Sequence, residues 1–77
     1  MYMEPADTFS TRLEVCYEVL LFLASRMQKL AAGQILEFIS CDPDAEPEIS
    51  AWVALHNYEL VQIEPLADGQ TRFLIRR

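Results

Sequence analysis

Val15-Cys16-Tyr17-Glu18-Val19-Leu20-Leu21-Phe22-Leu23-Ala24 is the stretch whose reading decides the fold. Before it, residues 8–15 alternate: Phe9, Thr11, Leu13 and Val15 fall on one side, and Ser10, Arg12 and Glu14 on the other. A period of two over that length predicts a half-buried strand. After Cys16 the pattern changes. Leu20, Leu23 or Ala24, Met27, and Leu30 or Ala31 recur at helical spacing, which predicts a helix over 17–32 with Glu18, Ser25, Arg26 and Lys29 on its wet side. Glu18 suits the positive end of that helix, and Arg26 and Lys29 the negative end. Gly33 follows, where a left-handed residue can stop a helix. Phe22 falls toward the wet side with no partner apparent from the pattern. Cys16 therefore stands at a strand-to-helix junction, where backbone N–H groups lack partners and the helix dipole favours a thiolate.

The remaining chain supplies a strand, a helix and two strands. Residues 34–40 (Gln-Ile-Leu-Glu-Phe-Ile-Ser) are apolar on both faces, as a central strand requires. Asp44 is placed to cap a second helix over 45–56, with Glu46, Pro47 and Glu48 in its first turn and Ile49, Trp52 and Val53 inward. Asn57 can end that helix in the left-handed region. Residues 58–65 and 71–76 read as strands joined through Leu66-Ala67-Asp68-Gly69-Gln70, where Asp-Gly is a hairpin signal. The order βαβαββ predicts an α+β, two-layer α/β sandwich. Right-handed crossovers place both helices on one face of a four-stranded mixed sheet. Strand order 1-2-3-4 or 1-2-4-3 is equally consistent with the pattern alone. The other sheet face is left without a cover. Parity turns Leu36, Phe38, Val61, Ile63, Phe73 and Ile75 toward the helices. It turns Ile35, Ile39, Leu60 and Leu74 away, as a surface for a partner or for weak self-association.

Length and charge narrow the function classes. At 77 residues there is room for one domain, read as residues 8–77 behind a flexible lead-in at 1–7, and 52% apolar residues can build its core. A net charge of −6 argues against nucleic acid or an anionic membrane as partner. The opening residues have neither the basic nor the apolar segment of a signal peptide, and the run Val19–Ala24 is too short to span a bilayer. A cytoplasmic, reducing location follows as the expectation.

Two cysteines and one histidine complete no metal spacing and no disulfide framework, so neither metal nor cofactor is expected. Cys16 reads either as a nucleophilic thiol or as a small inert core residue. Cys41, just past the second strand, is a tentative second thiol or an incidental loop residue. Parallel first and second strands bring both cysteines to one sheet edge. A bridge would still need Cα atoms within about 7 Å, and no lasting disulfide is expected in a reducing compartment. His56 ends a helix without a catalytic constellation, and Trp52 shares the core stripe of Ile49 and Val53. Asp42, Asp44, Glu46 and Glu48 lack calcium-loop spacing. Arg72, Arg76 and Arg77 form the one basic cluster.

Over residues 8–77 the sequence resembles the TusA/SirA-like sulfur-carrier family. The matching landmarks are Cys16, Leu30 with Gly33, Asp42-Pro43, Ile49 and Trp52, Glu59-Leu60, and the closing Phe73-Leu74-Ile75-Arg76-Arg77. The family motif is Cys-Pro-x-Pro; here it reads Cys16-Tyr17-Glu18-Val19, without either proline. The resemblance implies sheet order 1-2-4-3. It also implies a sulfurtransferase-type carrier whose Cys16 holds a persulfide and exchanges it with donor and acceptor proteins, without metal or organic cofactor. The alternative is a non-catalytic interaction or regulatory module that keeps the fold without the relay.

Overall fold

The computed structural model describes residues 4–77; of the lead-in expected over 1–7, residues 1–3 lie outside the described residues and Asp7 already belongs to the first strand. The elements run β1 (Asp7–Thr11), α1 (Tyr17–Gln28), β2 (Ile35–Ser40), α2 (Ala45–Leu55), β3 (Glu59–Pro65) and β4 (Thr71–Arg76). They build an α+β sandwich with sheet order β1-β2-β4-β3. β1 runs parallel to β2, and β4 lies antiparallel to both β2 and β3. The last strand thus fills the gap between the second and third, as the resemblance implies.

The core sits between the helices and one sheet face. Val19, Leu23 and Met27 of α1 and Ile49, Trp52 and Val53 of α2 close over Leu36, Phe38, Phe73 and Ile75. The buried stripe of α1 includes Val19 where the sequence pattern puts Leu20, which is only half-buried. Phe9, Phe38 and Phe73 form a ring stack across three neighbouring strands, with centroids 5.6 and 5.9 Å apart. Phe22, unplaced by the pattern, lies with its centroid 6.2 Å from that of Phe9, at the open edge of the stack.

Several boundaries differ from the sequence expectation. β1 ends at Thr11, opposite Ser40, where β2 also ends. Residues 12–15 then form the approach to α1, with Leu13 exposed and Val15 buried. α1 ends at Gln28 rather than near Ala32. The Arg77 guanidinium donates to the carbonyls of Gln28 (2.7 Å) and Leu30 at that end. Gly33 adopts φ +88° in the turn into β2, beyond the helix cap itself. α2 ends as expected: Asn57 takes φ +60°, its N–H reaches Ala54 O, and the Tyr58 N–H reaches Val53 O. That double bond pattern satisfies the last helical carbonyls.

The open sheet face is charged rather than aliphatic. A register shift between Leu60 and Gln62 sets Leu60 opposite Ile75, so Leu60 packs into the core instead of facing outward. The extra residue, Val61, lets Leu60 and Ile63 both pack against the core, which strict alternation forbids. Ile35 and Leu74 do not form an exposed patch, being 6% and 8% exposed. Across the face Arg72 bridges Glu37 and Glu64, and Arg76 pairs with Glu59. Partial desolvation lowers the Arg72 guanidinium, but hydrogen bonds and charge from Glu64 and then Glu37 outweigh it and raise the group.

Candidate functional site

The site forms where β1 and β2, being parallel, both deliver their C-terminal ends. Cys16 is the N-cap of α1, with extended backbone (φ −132°, ψ −178°). Its carbonyl accepts the Leu20 N–H at 3.0 Å, the first bond of the helix. Its side chain makes no capping hydrogen bond and is exposed. The first-turn N–H groups of Tyr17, Glu18 and Val19 have no carbonyl within the helix to meet. The thiol thus stands in the field of a helix N-terminus, on an exposed residue. Tyr17, the next residue, is itself 75% exposed. Tyr17 and Val19 continue the helix without the prolines of the motif.

Asp42 holds this loop in place, a role the sequence pattern assigned to no residue; Asp44 was expected only to cap α2. The Asp42 carboxylate accepts the Val15 N–H at 2.8 Å and the Asp44 N–H at 2.9 Å. Asp44 occupies the N-cap of α2 but makes no side-chain cap bond. One carboxylate therefore ties the residue before Cys16 to the start of α2. Asp42 is in turn fixed from behind, its own N–H donating to the buried Ser40 hydroxyl at 3.0 Å. The sequence signal was available in Asp-Pro ahead of a helix, but the distant partner Val15 was not.

Cys41 lies at the same sheet edge in a different setting. It is half-buried and follows Ser40, which turns inward. Its sulfur receives the Gln70 side-chain N–H at 3.6 Å, in a depression shared with Arg12 and Asp68. Cys16 is not part of that depression, and both cysteines are free thiols. His56 belongs to neither setting. It clusters with Trp52 (4.8 Å, tilted) and Tyr58 (5.8 Å, stacked) at the far end of α2. Trp52 is buried in the core as expected.

Among the described residues no group of His, Cys, Asp or Glu is arranged to hold a metal ion, and no helix is long and apolar enough to cross a membrane. What the arrangement offers is a small α+β domain presenting one solvent-exposed thiol at a helix start, a geometry suited to carrying a group covalently. The comparisons with known proteins agree with that class. The family model described as "Sulfurtransferase TusA" matches residues 9–77. A protein of Archaeoglobus fulgidus named "Putative sulfur carrier protein" is 34% identical over 61 residues, which is 79% of this chain and 79% of that protein. The chain belongs to the TusA family.

Proposed function

We propose that this protein carries sulfane sulfur as a persulfide on Cys16, within a reducing cytoplasm, and that residues 8–77 are the working unit. The observation that supports the reading best is the exposed Cys16 at the N-cap of α1, inside the span matched by the family model. Sulfur uptake is a thiolate attack on the terminal sulfur of a donor persulfide. A bond forms between Cys16 Sγ and that sulfur, and the donor's own S–S bond breaks. The donor leaves as a thiolate, and the proton lost by Cys16 is regained there. No net oxidation occurs, so neither metal nor organic cofactor is called for. Delivery to an acceptor thiol is the same step in reverse sense.

The chain's own groups support each requirement. The helix start offers N–H groups and a positive dipole end to the thiolate and to the persulfide anion. The Asp42 clamp limits movement of the loop that carries the sulfur. Cys41 is half-buried and receives the Gln70 N–H, which favours Cys16 over it as the carrier.

The test is the intact mass of protein purified without reductant and exposed to inorganic polysulfide, followed by mapping of the adduct. The reading expects added sulfur on the peptide containing Cys16, absent in Cys16→Ser and retained in Cys41→Ser. Sulfur confined to Cys41 overturns the carrier assignment. No uptake at either thiol leaves the interaction module as the better account.

A further inference from the structure

The exposed apolar side chains of this protein are not on the open sheet face. Tyr17, Leu21 and Phe22 of α1 and Leu55 of α2 are all largely solvent-exposed on the helical layer. Between the two helices runs an apolar groove lined by Tyr17, Leu21, Trp52, Leu55 and His56, with Leu20 and Ala24 at its base. A second depression, lined by Glu18, Leu21, Phe22 and Ser25, lies on the other side of Leu21. Leu21 is thus a ridge between two hollows, and Tyr17 joins the groove directly to Cys16.

Charge is sorted between the two faces in the same way. Asp7, Glu37, Glu59 and Glu64 each meet an arginine. Glu14, Glu18, Asp44, Glu46 and Glu48 are exposed and enter no ion pair among the described residues. Glu14 and Glu18 flank Cys16 in the chain, and Asp44 to Glu48 open α2, which Asp42 ties to the Cys16 loop. Arg12, before the thiol loop, and Lys29, at the end of α1, are likewise outside any ion pair among the described residues, so these five carboxylates leave a local excess of negative charge at the starts of both helices. A second copy of this chain would bring like charges together there, and nucleic acid or an anionic bilayer would be repelled.

We propose that the groove between α1 and α2, with its acidic surround, is the docking surface for a basic amphipathic helix of a partner protein. Apolar side chains of that helix seat between Tyr17 and Leu55 and against Leu21, and its lysines or arginines face Glu14 and Glu18. The charges steer the encounter and the apolar contacts hold it. Docked in this way, a partner's reactive sulfur is brought to Cys16 from the helical side. That last clause rests on the carrier reading; the surface itself does not.

The probe is a synthetic helix-forming peptide of leucine and lysine, compared with its counterpart carrying glutamate for lysine. Amide shifts of the isotope-labelled protein are followed by NMR, in the parent and in Cys16→Ser. The lysine peptide should move amides over 17–24 and 52–56. Leu21→Glu and Leu55→Glu, both at exposed positions, should each weaken it by about tenfold or more while keeping the parent's remaining spectrum. Glu14→Gln with Glu18→Gln should weaken it and flatten its salt dependence. Absence of binding by the lysine peptide, equal binding of the glutamate peptide, shifts mapping to Glu37, Gln62 and Leu74, or unchanged affinity in both groove variants would each overturn the proposal. Loss of sulfur carriage appears separately, in polysulfide uptake, and leaves this titration unaffected.

Discussion

Replacing Asp42 by alanine removes the clamp that joins the Cys16 loop to α2. Two N–H bonds to a carboxylate are lost, from Val15 at 2.8 Å and Asp44 at 2.9 Å. The Val15 bond is partly buried, and Val15 itself is 8% exposed, so its amide is left with little access to water. A hydrogen bond to a charged group of this kind contributes about 1.5–3 kcal/mol. The Asp44 bond is exposed and adds about 0.5 kcal/mol, near the low end for a helix-start capping interaction. The expected loss is therefore roughly 2–3.5 kcal/mol, which in a domain of this size lowers Tm by roughly 8–28 °C. Urea and thermal unfolding followed by circular dichroism measure it. Hydrogen exchange at the Val15 amide should accelerate in step. Asp42→Asn keeps one oxygen acceptor and should lose about half as much. A loss below about 0.5 kcal/mol for Asp42→Ala, or an unchanged Val15 exchange rate, would refute the clamp.

Three further outcomes are expected of this fold. Asn57, at φ +60°, should tolerate glycine within about 0.5 kcal/mol, whereas Asn57→Val should cost more than about 1 kcal/mol because a β-branched residue is strained there; chemical denaturation separates the two. Met27→Ala, at a fully buried position under the sheet, should cost about 2–5 kcal/mol, a large share of the stability of so small a domain, read from the urea midpoint. Cys16, exposed, should be alkylated by iodoacetamide faster than half-buried Cys41; Cys41→Ser should retain the fast phase and Cys16→Ser should lose it, as followed by mass spectrometry.

Where the chain needs a particular residue type for a local reason, the sequence revealed it. Asn57 and Asp68-Gly69 take positive φ, which few residues accept, and each marked the turn it makes. Cys16 was legible as a helix start because apolar periodicity changes from two to helical at that residue. What was hidden depends on contacts between distant parts of the chain. The apolar pattern continues through Leu30 and Ala31, but α1 stops at Gln28, where Arg77 reaches from the other end of the sequence to its last carbonyls. A single bulge between Leu60 and Gln62 turned Leu60 inward against the parity expected for it, while Ile63 kept its expected inward place. The tie from Asp42 was not legible because its partner, Val15, lies on another loop, and Asp44 holds the expected N-cap position of α2 without a side-chain cap bond. The exposed apolar groove needed both helices in place before its residues could be seen as one surface.

The central claim, that Cys16 holds sulfur in a form that can be passed on, is tested most directly by a two-stage transfer with radioactive sulfur. The protein is loaded from labelled polysulfide, freed of small molecules, and mixed with a thiol-bearing acceptor protein. Label should move to the acceptor from the parent and from Cys41→Ser, and Cys16→Ser should carry and deliver none. Label that remains bound to Cys16, or that passes through Cys41 in the absence of Cys16, would contradict the account.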